Sequence, residues 1–252
     1  MRHHRFLALF IAVLLVPFAA ACSRQADEPE QAPAAPATAE PPDIKADMHD
    51  HFTRIQEIEE AIVRGDLDGA KEPARWLAEH QEAKGLPPAT ESQLAAVRTA
   101  ARSVADAGDL GTAAKGAATL VASCGDCHKA ANVSPELPAP ATAFRAAERA
   151  NHMAQHQRAV ELLYRGLARP SDDLWQEGAA ALRESPLAAK DMPEVSKEVV
   201  SAEAAVHALA DRAKRASDRE TRVHVYGELI GNCASCHGLH GRVWGPGIGK
   251  AE

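Results

Sequence analysis

The sequence is poor in aromatic residues, and its basic residues are outnumbered by acidic ones. Phe, Trp and Tyr make up 4% of the 252 residues, whereas alanine is abundant and strand-forming residues are sparse. This composition argues against a β-sandwich or β-barrel and favours helices. The chain has 28 basic and 35 acidic residues, which gives a formal charge of −7. Because nucleic-acid binding needs a basic surface, we expect no nucleic-acid partner.

Long apolar runs are also scarce, and the longest lies at residues 6–20. Its 15 residues are too few to span a bilayer as a helix. Arg2 and Arg5 precede the run, and small residues follow it. A basic segment, an apolar segment and a small-residue segment in this order are typical of an export signal. We therefore predict a signal peptide at 1–21 and a mature protein outside the cytoplasm.

Cys22 stands alone, directly after three alanines at 19–21. Small residues before a cysteine resemble the cleavage site of bacterial lipoprotein precursors, although that family usually has leucine where this chain has Ala19. The resemblance implies a diacylglycerol on the sulfur of Cys22. It also implies sorting to the outer membrane, because Ser23 rather than an aspartate follows. The alternative is an ordinary signal cleavage site nearby that leaves Cys22 as a free thiol.

The segment 22–42 is predicted to be a disordered tether. It holds five prolines and shows no apolar periodicity. Proline stiffens the chain and blocks both helix and sheet. With a lipid on Cys22, such a segment would hold the following domains some distance from a membrane surface.

The other four cysteines fall into two C-x-x-C-H motifs, at 124–128 and 233–237. Two thiols at this spacing can each add to a vinyl group of one haem, and the adjacent imidazole can bind the iron. The pattern is the attachment signature of c-type haem. We therefore predict two covalent haems. The attachment residues are Cys124, Cys127, Cys233 and Cys236, and the proximal iron ligands are His128 and His237.

Other uses of the four cysteines agree less well with the sequence. A thioredoxin-like C-x-x-C needs a βαβ context, which the pattern lacks. A structural zinc site needs four protein ligands, and the two cysteine pairs lie 109 residues apart without a second nearby histidine pair. Two disulfides within the motifs remain possible by spacing alone.

The motifs belong to a repeat of about a hundred residues, and each half is predicted to form four helices. His51 and His152 align at an offset of 101 residues, and an Arg-Gly pair at 64–65 aligns with one at 165–166. In the first half, apolar residues recur every three or four positions from Phe52 to Ile62, which is one helical face. Short loops between amphipathic helices indicate up-and-down bundles. We predict an all-α fold of two tandem four-helix bundles, at 43–135 and 141–252.

Local signals mark several helix ends. Gly65 is predicted to end the first helix and Asp66 to cap the second, which would continue to Lys84. Thr90 with Gln93 resembles a capping box for the third helix, and Asp109 is predicted to cap the fourth. In the second half, the expected helices are 141–165, 171–184, 193–216 and 219–237.

The position of the motifs resembles that in class II c-type cytochromes, the cytochrome c′ type. In that family the motif lies on the last helix of a four-helix bundle, as it does here in two tandem copies over 43–130 and 141–240. The resemblance implies that the distal iron position is either empty or filled by a side chain near the start of the first helix. Only 15 residues follow the second motif, and none of them is methionine.

The aligned residues His51 and His152 are the predicted distal iron ligands. Each lies on an apolar helical stripe, where an imidazole is costly to bury unless something binds it. A buried histidine that hydrogen-bonds to a carbonyl is the alternative. The rival ligands are Met48, Met153 and His156.

The predicted function is single-electron transfer by a dihaem cytochrome of the bacterial cell envelope, with periplasmic or membrane redox proteins as partners. Two histidines on one iron give a low-spin site that changes little with oxidation state. The alternative is a haem with an open distal position that binds nitric oxide or carbon monoxide or reduces peroxide. A subunit of a larger respiratory complex is a third possibility. No catalytic acid, base or substrate pocket is evident in the sequence.

Overall fold

The computed structural model describes residues 43–81, 85–137, 152–184 and 196–240, with the backbone alone at 152, 239 and 240. The predictions for the signal peptide, Cys22, the tether and residues 141–151 therefore lie outside the described residues. Within the described part, no helix is both long enough and apolar enough to cross a membrane.

The described residues form eight α-helices and no strand, which confirms the all-α prediction. A short 3₁₀ segment precedes the third helix. The helices are α1 (Ile44–Arg64), α2 (Leu67–Glu79), α3 (Glu91–Ala105), α4 (Leu110–Ala130), α5 (His152–Ala168), α6 (Asp172–Arg183), α7 (Lys197–Arg215) and α8 (Arg219–His240).

The turn between α1 and α2 forms as the sequence predicts. Gly65 adopts a left-handed conformation with φ of 79°, which glycine reaches without steric cost. Its N–H donates to the carbonyl groups of Ala61 and Ile62 at the end of α1. A carboxylate oxygen of Asp66 then accepts a hydrogen bond of 2.8 Å from the N–H of Gly69, which caps α2.

The predicted capping box at Thr90 is wrong. Thr90 lies in the 3₁₀ segment Pro88–Thr90 with helical backbone angles, and it makes no side-chain cap to α3. Its hydroxyl instead donates a hydrogen bond of 2.7 Å to the carbonyl of Pro87. A nearby backbone acceptor competes with the cap for such a hydroxyl, because threonine readily bonds to its own local backbone.

Consecutive helices pack side by side in each half, and the first and last helices of each half also touch. This is the neighbour order of an up-and-down bundle. One apolar core runs through both halves, however, because α8 packs on α4 and α1 as well as on α7. The two halves therefore share buried surface rather than standing apart.

The contact between α4 and α8 is close and antiparallel. A methyl group added at Gly227 would lie 3.1 Å from the Cα of Lys115, so only glycine fits there without a shift. Farther along, Arg219 at the start of α8 pairs with Asp126 near the end of α4 at 2.7 Å. Since the start of one helix lies beside the end of the other, the two C-x-x-C-H motifs lie at opposite ends of this helix pair.

Candidate functional site

Helices α4 and α8 begin with the same cap. Carboxylate oxygens of Asp109 accept hydrogen bonds of 2.8 Å from both the N–H and the hydroxyl of Thr112. Asp218 receives the same two bonds, at the same length, from Thr221. Each aspartate stands fifteen residues before the first cysteine of its motif. The cap and the motif are therefore repeated in identical register, and α4 and α8 are equivalent helices.

The four motif cysteines form no disulfide with one another, and all four are half-buried. Burial, with a smaller contribution from the nearby Cys127, raises the pKa of the Cys124 thiol to about 12. Burial likewise raises the pKa of Cys233 to about 12, with a contribution from Cys236. At neutral pH these sulfurs are thiols, whereas a metal ion binds the thiolate.

The imidazole of His128 is oriented by the end of α5. Its Nδ1 lies 2.9 Å from the carbonyl oxygen of Ala168. A carbonyl oxygen only accepts hydrogen bonds, so Nδ1 carries the proton and Nε2 of the neutral ring keeps its lone pair. A backbone carbonyl on the second nitrogen is the usual support of a metal-binding histidine.

Gly125, between the two cysteines of the first motif, allows this approach of α5. A methyl group added there would lie 2.2 Å from the carbonyl oxygen of Leu167, a backbone atom that cannot move aside cheaply. The end of α4 therefore carries two thiols and an oriented imidazole, a donor set that fits a covalent haem. The close backbone contact holds α5 beside these groups.

His51, a predicted distal ligand, is buried on α1 with 7% of its surface exposed. Its ring packs edge-on against Trp76 and His80, at centroid distances of 5.9 and 5.3 Å. Donor atoms of Asp47, His51 and His80 all lie within 4.8 Å of one another. The sequence prediction missed His80 and Asp47, although the spacing of four residues between Asp47 and His51 was a usable signal.

Near the second motif, His156 is the buried histidine, with 7% of its surface exposed. Its Nε2 lies 3.6 Å from a carboxylate oxygen of Glu203 on α7. The charge of Glu203 also raises the pKa of Cys233 and Cys236, though less than their burial does. Thus His156 and Glu203 lie at the end of α8 that carries the second motif.

Only one of the two predicted distal residues is described with its side chain. His51 is described in full, whereas the side chain of the aligned His152 lies outside the described residues. Of the rival ligands, Met48 and Met153 are half-buried, near the starts of α1 and α5. The assignment of His51 and His152 to iron therefore stays a prediction.

Comparison of the chain with known protein families, with curated proteins and with solved structures found no match. The arguments on function accordingly depend on the motifs, the helix order and the contacts described above. Of these, the two C-x-x-C-H motifs are the most specific.

Proposed function

We propose that the chain is a dihaem c-type cytochrome that passes single electrons between redox partners of the cell envelope. The observation that carries the proposal is the recurrence of a C-x-x-C-H motif in the same register on α4 and α8. The hydrogen bond of 2.9 Å between Nδ1 of His128 and the carbonyl of Ala168 is compatible with it. It leaves Nε2 available at the end of a helix that also presents Cys124 and Cys127. The second motif, in the same helical register on α8, supports a second haem.

Two cysteines and one histidine of each motif would hold one haem. Cys124 and Cys127 would anchor one macrocycle through thioethers, and His128 would bind its iron from the same helix end. The haem itself supplies the one-electron chemistry. The carbonyl of Ala168 makes the His128 ring a stronger donor, which favours ferric iron and lowers the reduction potential.

The location and the partners belong to the same proposal. A lipid on Cys22 and the tether at 22–42 would attach the protein to the outer membrane on its periplasmic side. Electron-transfer partners would then be periplasmic or membrane redox proteins. Motifs at opposite ends of the α4–α8 pair support a separate docking surface at each end.

Haem attachment is tested by expressing the full chain together with a c-type haem maturation system. We expect a mass increase of two haems and a reduced spectrum typical of thioether-linked haem. A variant with Cys124→Ala and Cys127→Ala should lose one haem and keep the other. The Cys22→Ala variant is the matched control, since it should lose the lipid and keep both haems. A mature chain without any added macrocycle would refute the proposal.

Gas binding at one iron is the second candidate function, and the contacts of His51 favour it. The His51 ring packs against Trp76 and His80 on the α2 side of α1. If it keeps these contacts in the loaded protein, the first iron lacks this ligand and is open to carbon monoxide or nitric oxide. The test is a carbon monoxide difference spectrum of the reduced protein, compared between wild type and His51→Ala. An unreactive wild type that becomes reactive in the variant would instead assign His51 to iron.

A further inference from the structure

We propose that Asp47, His51 and His80 form a binding site for a divalent transition-metal ion, separate from both haem motifs. One carboxylate and two imidazoles, with donor atoms all within 4.8 Å of one another, lie between the start of α1 and the end of α2. Two histidines and one carboxylate are a donor set that binds Zn²⁺ or a related first-row ion and leaves one position for water.

The three side chains are shielded from bulk water. The Asp47 and His80 side chains are 11% and 22% exposed, and His51 is 7% exposed. Asp47 and His51 stand one helical turn apart on α1, so they present their side chains to the same face. His80 faces them from α2, and its Nε2 lies 2.6 Å from a carboxylate oxygen of Asp47.

His80 is fixed in place by its backbone and by its ring. Its own N–H donates to the carbonyl of Trp76 at 2.8 Å, and its carbonyl accepts from Arg98 on α3 at 3.5 Å. The Trp76 ring stacks on the His80 ring at 4.0 Å, with 18° between the planes. Because these three contacts already fix His80, its side chain loses little conformational entropy when a metal binds.

A metal ion could bind only if the present distance between Asp47 and His80 increased and His80 lost the proton on Nε2. Donors on a tetrahedral Zn²⁺ at about 2.0–2.1 Å stand about 3.3 Å apart, so this pair must open by less than 1 Å. The proton on Nε2 of His80 must leave that nitrogen, because a metal binds the unprotonated imidazole. Small rotations of the two side chains would lengthen the distance between them, since Asp47 lies in the first turn of α1.

The site goes beyond the proposed electron transfer and competes with it for one residue. His51 can bind the metal ion or the first haem iron, but not both. His80 and Asp47 have no role in the haem proposal, so variants of these two residues separate the two functions.

The test measures zinc bound to the full chain, with its haems as purified, after chelator treatment and dialysis against Zn²⁺. We expect wild type to retain one more equivalent than His80→Gln, and the apparent Kd of Asp47→Asn to be at least tenfold weaker. His49→Ala and His224→Gln are matched controls and should bind as wild type does. His49 is exposed on the same helix, and His224 pairs with Glu228 at 2.8 Å without a second histidine.

A second measurement covers the case in which a variant folds poorly. Zinc should raise the thermal unfolding midpoint of wild type and of both controls, and it should not raise that of His80→Gln. Equal zinc retention by wild type, His80→Gln and Asp47→Asn would overturn the site. Zinc retention that depends on His80, in a chain that gains no haem when it is expressed with the maturation system, would refute the cytochrome proposal and leave the metal site standing.

Discussion

The hydroxyl of Tyr226, on α8, donates a hydrogen bond of 2.8 Å to a carboxyl oxygen of Glu59, on α1. Tyr226 is fully buried in the core that both halves share. Burial raises the pKa of Glu59 to about 8; the bond from Tyr226 opposes this rise and the charge of Glu161 adds to it. The link between the two halves therefore contains a carboxyl group that is mostly neutral at physiological pH.

Replacement of Glu59 by glutamine should change how stability depends on pH. Since the pKa of Glu59 is raised on folding, its contribution is complete below the unfolded value of about 4.5 and is lost as pH rises through about 8. Glutamine mimics the neutral acid and cannot ionise. We expect Glu59→Gln to match wild type near pH 4 and to become increasingly more stable than wild type as pH rises to about 9.

Urea unfolding at a series of pH values measures this difference. Glu57→Gln is the matched control, because Glu57 is exposed and pairs with Arg54 on the outside of the same helix. The control should keep the fall in unfolding free energy that wild type shows between about pH 6 and pH 9. If Glu59→Gln also keeps that fall, the raised pKa of Glu59 is wrong.

Gly125→Ala in the first motif should lower the unfolding free energy more than Gly238→Ala does after the second motif. Its new methyl group would overlap the carbonyl of Leu167, so α4 and α5 must separate. We expect a loss of about 1–3 kcal/mol in unfolding free energy. Gly238→Ala is the control, because no atom lies within 4 Å of the added methyl group there. It should be neutral or stabilising by up to about 1 kcal/mol. Equal effects from the two changes would argue against the close approach of α5.

The sequence predicted most helices because their signals are local. The apolar stripe from Phe52 to Ile62 identified α1, and Gly65 and Asp66 marked the turn after it. Local signals gave a wrong helix end where a contact between helices determined the structure. The second helix ends at Glu79 rather than Lys84, since His80 leaves the helix and bonds to Asp47.

The aligned Arg-Gly pairs illustrate the same limit. Gly65 ends its helix in a left-handed conformation, whereas Gly166 lies inside α5, which continues to Ala168. A methyl group at Gly166 would lie 2.9 Å from the backbone nitrogen of Trp175, so this glycine serves close packing of α5 on α6. Sequence alignment could not separate these two uses. It also could not reveal the α4–α8 contact, because small residues are common throughout the chain.

The equivalent caps of α4 and α8 predict an acid-sensitive loss of stability. Hydrogen bonds from Thr112 and Thr221 lower the pKa of Asp109 and Asp218, respectively. A lowered pKa means that the contribution is present above the unfolded value and is lost as pH falls through the folded one. Asp109→Ala and Asp218→Ala should therefore lower the unfolding midpoint at neutral pH and have a smaller effect in acid.

Thermal unfolding at neutral pH and at about pH 3 checks this prediction. Asp68→Ala is a useful comparison. Asp68 is an exposed acid in the first turn of α2, where Asp66 already provides the cap. An Asp109→Ala effect of the same size at both pH values would contradict a cap made by the ionised carboxylate.

If the chain carries the two proposed haems, the antiparallel contact of α4 and α8 predicts that they behave independently. Arg219 pairs with Asp126, inside the first motif, and Cys233 lies fourteen residues farther along α8. At about 1.5 Å per residue, the two attachment points are about 20 Å apart along the helices. A unit charge at that distance changes the energy of the other site by about 0.2–0.8 kcal/mol at effective dielectric constants of about 80 to 20.

Independence is measurable by circular dichroism and redox titration of the dihaem protein. Exciton coupling between haems weakens with the cube of their separation, so any bisignate couplet in the Soret band should be weak. A variant with Cys124→Ala and Cys127→Ala should keep the potential of the remaining haem within about 35 mV of its wild-type value, the upper end of that electrostatic range. A strong couplet that disappears in this variant would mean that the haems lie much closer together, and the antiparallel arrangement of the motif ends would then be wrong.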